Sequence, residues 1–186
     1  MQRQLAEQIE SLESAQSRLR ALADRLSDSQ WARRPSPGQW SAADCVEHLN
    51  LTSAAYVPLL RDAVAQAGEI RRAPATHYRR DALGWFMALM IGPMRHLGKK
   101  RIGRVKTTAR FVPKGGQSRE QLLSDFVRLQ AELVALVRRA DGLRIDKVQI
   151  VSPFGERMHY DAFSAIVIVA RHQHRHLQQA EEAAAG

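Results

Sequence analysis

Apolar residues return at helical spacing along four stretches of this chain. From Gln4 to Leu26, Leu5, Ile9, Leu12, Leu19, Leu22 and Leu26 fall on one face and charged residues fill the rest, which predicts a long amphipathic helix. Ser27 to Gly38 contains Pro35 and Pro37 and reads as a loop. Ser41-Ala42-Ala43-Asp44 fits a capping box and opens a second helix that runs to about Gly68, with Trp40 placed before the cap as a hydrophobic staple. Cys45, His48, Thr52, Ala55 and Leu59 share one stripe of that helix, so His48 faces inward one turn after Asp44, and Pro58 marks a point where the helix can kink. Ser118 with Gln121 fits a second capping box. The third helix follows, its buried face marked by Leu122, Phe126, Leu129, Leu133 and Leu136, and Asp141-Gly142 ends it. After a connection from Leu143 to Met158, a fourth helix from Tyr160 to about Ala184 lines Phe163, Ile166, Val169, His172 and His176 along one face.

The stretch from Glu69 to Gln117 is irregular. Asp81 to Leu97 predicts a short helix rich in Trp85, Phe86, Met87, Leu89, Met90 and Met94, broken at Gly92-Pro93 and followed by a run of Lys and Arg. The architecture this predicts is all-α: a four-helix bundle in a single domain over residues 1–186, with a long basic loop and a short extra helix between helices 2 and 3. Functional sites in such bundles are built between facing helices.

Charge sharpens the picture. The formal net charge is +9, and no acidic residue occurs between Asp81 and Glu120, where Arg95, Lys99, Lys100, Arg101, Arg104, Lys106, Arg110, Lys114 and Arg119 lie. Outside that segment basic and acidic residues balance, so the whole excess sits in one place. Lys99, Lys100, Arg101 and Arg104 are the candidate anion-binding residues, and a merely solvated basic loop is an equal alternative. Nucleic-acid motifs are missing, so nucleic acid is not favoured, and little supports a membrane surface. The single cysteine, Cys45, forbids an internal disulfide and fits a reducing compartment. The polar N-terminus does not resemble a signal peptide, and the longest apolar run, Trp85 to Ile91, is far too short for a bilayer span, so a cytoplasmic location is expected.

The candidate chemistry lies in three histidines. His172 and His176 are one helical turn apart on one face, the spacing that lets two imidazoles share a metal ion, and His48 on a facing helix supplies a third. A three-histidine site leaves coordination positions open for a reactant. His174 points about 200° away from His172 and cannot join it, and His77, His96 and His159 read as surface or structural residues. His172-Gln173 lacks the glutamate that a zincin protease carries after its first histidine. The Glu-x-x-His pairs of di-iron bundles are absent as well. Asp44 and Glu47 are weak candidates for a base or for a group that orients His48; a cap explains Asp44 better.

These residues carry a family resemblance. Pro37-Gly38-Gln39-Trp40-Ser41 followed by Cys45-Val46-Glu47-His48-Leu49 is similar to the first ligand helix of the DinB/YfiT-like superfamily. The segments at 110–116 and 152–155 resemble loops of its DinB-like branch, and His172-x-x-Arg175-His176-x-x-Gln179 resembles its terminal ligand helix. The resemblance spans about Leu5 to Ala180. It implies a four-helix bundle, often a homodimer, holding a divalent metal (zinc, nickel or iron) on His48, His172 and His176, with Gln179 behind them. It further implies a small-molecule substrate and, from characterised relatives, transfer chemistry on low-molecular-weight thiols such as bacillithiol or mycothiol. The leading expectation is therefore a metal-dependent thiol S-transferase, in which the metal lowers the pKa of the cosubstrate thiol. A metal-dependent hydrolase is the near variant, and a non-catalytic binding module using the basic loop at 95–119 is the alternative.

Overall fold

The computed structural model describes residues 1–70, 73–93, 95–97, 100–102 and 107–185, and for 95–97 and 100–102 the backbone alone. The chain is mostly helical. Four long helices, α1 (Arg3–Arg25), α3 (Ala42–Glu69), α5 (Arg119–Arg139) and α6 (Ala162–Ala185), are joined by two short ones, α2 (Asp28–Ala32) and α4 (Ala82–Ile91). α3 packs on α5 and α6, α1 packs on the same two, and α4 lies along α6. Among the described residues no helix is long and apolar enough to cross a membrane.

The amphipathic stripes predicted from sequence are the buried ones: Leu5 to Leu26 on α1, Leu122 to Leu136 on α5, and Phe163 to His176 on α6. On α3 the stripe holds through Thr52, but beyond it Tyr56 and Leu60 are buried while Ala55 and Leu59 are only partly covered. Ser41 caps α3 as a full capping box with Asp44. The helix continues through Pro58, which is exposed.

Four local features differ from the sequence reading. The loop at 27–38 contains α2, because Ser27 and Gln30 form a reciprocal capping box that lets Trp31 bury itself. Ser118 accepts the Gln121 N–H, but this second box has only that half. The basic loop is partly a hairpin, with β1 (Arg95–Leu97) antiparallel to β2 (Lys100–Ile102). The last helix begins at Ala162 rather than Tyr160, since a second hairpin pairs β3 (Gln149–Val151) with β4 (His159–Asp161) and places Tyr160 opposite Ile150.

Two apolar clusters form the core. One gathers Tyr56, Tyr78, Leu133, Tyr160 and Ile168; the other gathers Trp31, Leu49, Phe126 and Leu177. Between them, along α3, α5 and α6, lies a belt of buried polar residues: His48, Asn50, Thr52, Gln130, His172, Gln173 and His176. Gln130 and Gln173 bind each other's amides at 2.9 and 2.8 Å, and Gln130 also donates to the Leu12 carbonyl, so the pair ties α5, α6 and α1 together without stranding a donor.

α4 is fastened to α6 at both ends. Asp81 caps α4 and Asp161 caps α6, and each carboxylate accepts the other residue's backbone N–H at 2.7 Å. At the far end Arg171 donates to the Ala88 carbonyl (2.7 Å), and Arg175 to those of Met90 and Gly92 (3.2 Å each). Cations at the last carbonyls of a helix also suit its dipole. Between these fastenings Gly84 sits directly against Ser164, with no room for a Cβ.

Gly84→Ala is therefore expected to cost about 1–3 kcal/mol by overpacking. Gly68→Ala, at a helical site with open space, is neutral or stabilising; urea denaturation of both variants checks the contrast. A second expectation concerns acid. The Arg18 guanidinium holds Glu181 in a bidentate pair at 2.6 Å and pulls its carboxyl below the ordinary range. The unfolded chain then takes up the proton first, so this stabilisation is complete above about pH 5 and is lost as pH falls through the native value. Glu181→Gln should lower the urea midpoint at pH 7 and leave it nearly unchanged at pH 3.

Candidate metal centre

Successive residues of α6 face successive neighbours, because each step turns the helix by 100°. Arg171 and Arg175 reach α4, Gln173 reaches Gln130 on α5, and His174 sits 3.0 Å from the Ser11 carbonyl on α1. His172 and His176 face α3 and meet His48. The three imidazoles offer ligand atoms that all lie within 4.8 Å of one another, and all three residues are buried. Their ring centroids are 4.4 to 5.1 Å apart.

His48 has a fixed tautomer. Its Nδ1 lies 2.7 Å from the Phe111 carbonyl, which can only accept, so Nδ1 carries the proton and Nε2 presents a lone pair. That Nε2 is 3.3 Å from His172 Nε2. Two nitrogens bound to one tetrahedral ion at the usual lengths stand about 3.4 Å apart, so the spacing fits a shared cation. The Nδ1 of His176 is buried and has no hydrogen-bond partner among the described residues. Burial holds all three imidazoles below the ordinary histidine range. For His172 and His176 the fall is larger, and neighbouring imidazoles and Arg175 add to it. The histidines are thus neutral near pH 7, the form that ligates metal.

Glu47 and His48 grip the same loop by opposite poles of its backbone. The Glu47 carboxylate accepts the N–H groups of Lys114 and Gly115 at 2.9 Å each, while His48 donates to Phe111. Gly115 has φ +74°, a left-handed conformation that favours glycine. Glu47 thus holds the segment that orients His48. Asp44 is engaged elsewhere: it caps α3 and forms a bidentate pair with Arg34 at 2.8 and 2.9 Å. Neither carboxylate lines the space in front of the histidines.

That space is a cavity of about 710 Å³ whose lining includes all three histidines, together with Gln179 and Arg175. The Trp40 ring lies tilted against His48 at 4.8 Å and His176 at 5.7 Å, so it covers these imidazoles instead of stapling the start of α3 alone. Phe154 lies 5.8 Å from His172 and 5.2 Å from Phe111. The turn that carries it is pinned by Ser152, whose hydroxyl accepts from Phe154 N–H and from Tyr160, and Tyr160 in turn meets Tyr56. Of the anion-binding candidates, Lys99 and Arg104 lie outside the described residues, and Lys100 and Arg101 are described only as backbone of β2. His77 and His159 are exposed, as a surface reading requires. Arg171 is the residue sequence reasoning missed: it repeats with Arg175 at the same four-residue spacing as the two histidines.

Glu47→Ala leaves two loop N–H groups unpartnered and leaves the loop held by His48 alone of this pair. The variant should be cut faster by protease within 112–117 and should bind zinc about 10–100-fold more weakly in chelator competition, the usual loss when a residue behind a ligand is removed. Glu47→Gln, which keeps one acceptor oxygen, should fall between.

Comparison with curated proteins and with solved structures gives no match. The family model described as DinB superfamily matches residues 11–180, nearly the whole chain and all three histidines. With that match and the helical fold on which the histidines converge, the chain belongs to the DinB superfamily.

Proposed function

We propose that this chain is a metal-dependent thiol S-transferase, folded as a four-helix bundle and holding a divalent ion on His48, His172 and His176. One observation carries the reading: three buried, neutral imidazoles from two helices converge at the wall of a roomy cavity. An ion held there supplies Lewis acidity that lowers the pKa of a thiol or a water. Imidazole ligands suit zinc, nickel and iron alike.

The chain's own residues do the positioning. The Phe111 carbonyl keeps the His48 proton on Nδ1 and turns Nε2 inward. Trp40 and Phe154 pack against the rings and limit how they can turn. At about 710 Å³ the cavity is within the range of sites that enclose a whole small molecule, which favours a reaction joining a cosubstrate to a second reactant.

The test begins with elemental analysis of tag-free protein beside His48→Ala and His172→Ala. About one metal per chain is expected in the parent and little in either variant. The loaded protein is then incubated with a thiol panel that includes bacillithiol and mycothiol, with an alkylating electrophile as acceptor. Metal-dependent loss of free thiol, reduced at least a hundredfold in His176→Ala, is the expected result. Turnover of ester or amide probes without thiol would replace transfer by hydrolysis. Absence of metal after reconstitution would overturn both and move attention to residues 95–119.

A further inference from the structure

The character of the cavity walls narrows what can occupy it. We infer that the cavity binds an amphiphilic anion, with a carboxylate-like headgroup directed to the histidine cluster and Arg175 and an apolar body laid along α4. The inference takes the histidine cluster as the reacting end of the cavity, and so rests on the proposed function for its orientation, but not for the class of ligand.

Apolar side chains make up much of the described lining: α4 contributes Phe86, Met87, Met90 and Ile91, and Val112, Phe154 and Met158 add to them. The side chains of this wall offer hydroxyls no partner, so it suits the apolar body of a reactant rather than the sugar of a thiol cosubstrate. Two methionines on one short helix also give an adaptable surface that suits chains and rings of varied shape. Among the described residues, Gln39, Thr107, Thr108 and Gln179 supply neutral polar lining beyond the histidines, enough to orient a ligand rather than to solvate it.

Charge points the same way. Among the described residues that line it, none is acidic and Arg175 is the cation. Arg175 is held in place by its bonds to the Met90 and Gly92 carbonyls, so the guanidinium and the apolar wall move as one unit. A divalent ion on the histidines would add positive charge at the same end. In an apolar surrounding, a cationic headgroup there is strongly opposed and an anionic one is favoured.

The wall is also built to stay in place. α4 is capped against α6 by the Asp81–Asp161 exchange at one end and clamped by Arg171 and Arg175 at the other. Gly92 itself lies so close to the Arg171 guanidinium that a side chain there would displace it. The ligand-facing side of α4 is therefore preformed.

The experiment is calorimetric titration with straight-chain monocarboxylates of six to twelve carbons, and with the ten-carbon alkylamine. It is run on chelator-treated and on zinc-loaded protein. Affinity should rise about fourfold for each added methylene, and the amine should bind at least tenfold more weakly than the matching carboxylate. Phe86→Asp, at a half-exposed position that tolerates a polar group, and Met90→Asp should each weaken decanoate at least tenfold while metal content is unchanged. A flat chain-length series, an amine that binds as tightly as the acid, or wild-type affinity in both variants would overturn the inference. Because the chelator-treated protein gives the same readout, a protein that takes up no metal would sink the proposed function and still decide this question.

Discussion

Three imidazoles buried at mid-height of a helical core set the terms for everything around them. Burial removes the water that would solvate their nitrogens, so each must be neutral and each nitrogen must find a partner or a cation. The same belt holds Gln130 and Gln173, which answer the demand with each other and with Leu12. The histidines answer it only in part. His48 spends Nδ1 on Phe111, its Nε2 and that of His172 face each other at 3.3 Å, and His176 Nδ1 has no partner among the described residues. A folded core that closes one polar cluster fully and leaves its neighbour facing a cavity separates a structural tie from a binding site.

The helix that carries two of those imidazoles has no idle face where they sit. From Arg171 to His176 the residues address α4, α3, α5 and α1 in turn, and the register of α6 is therefore over-determined: a shift of one residue would misplace the Gln130 pair, the Ser11 contact, both arginine clamps and the histidine cluster together. The pocket wall inherits this fixity. α4 has almost no polar side chain of its own, so its position comes from caps and from guanidinium contacts supplied by α6. Among the described residues Trp85 and Leu89 on its outer face are exposed, and Phe86, in the cavity wall, is half-exposed.

Much of this was legible in the sequence, for a physical reason. Long amphipathic helices announce themselves by period, and capping boxes such as Ser41 with Asp44 mark where they start. Two histidines four apart on an apolar stripe place themselves, and the motif around His48 supplies the third. What stayed hidden depends on groups without residue identity. The Phe111 carbonyl and the Lys114 and Gly115 amides are backbone atoms, and nothing in their side chains reveals that Glu47 and His48 hold them. The hairpin of β3 and β4 is three residues a side, too short to show a period. Trp40 looked like a staple because the staple is a local pattern, whereas its contact with His176 is made across the whole chain.

Placing Glu47 and His48 side by side has a consequence for how the site keeps its shape. A helix turns by 100° between them, so the two side chains leave α3 in different directions, and the loop from Phe111 to Gly115 must span both. It does so by offering a carbonyl to one and two amides to the other, with glycine at the position where φ is positive. Either bond alone would leave the loop free to swing about a single point. Together they fix the His48 ring in rotation as well as in position, and they hold Val112 in the cavity lining. The orientation of His48 and the Val112 part of the cavity lining are thus set by the same pair of neighbouring residues, so that neither can drift without the other.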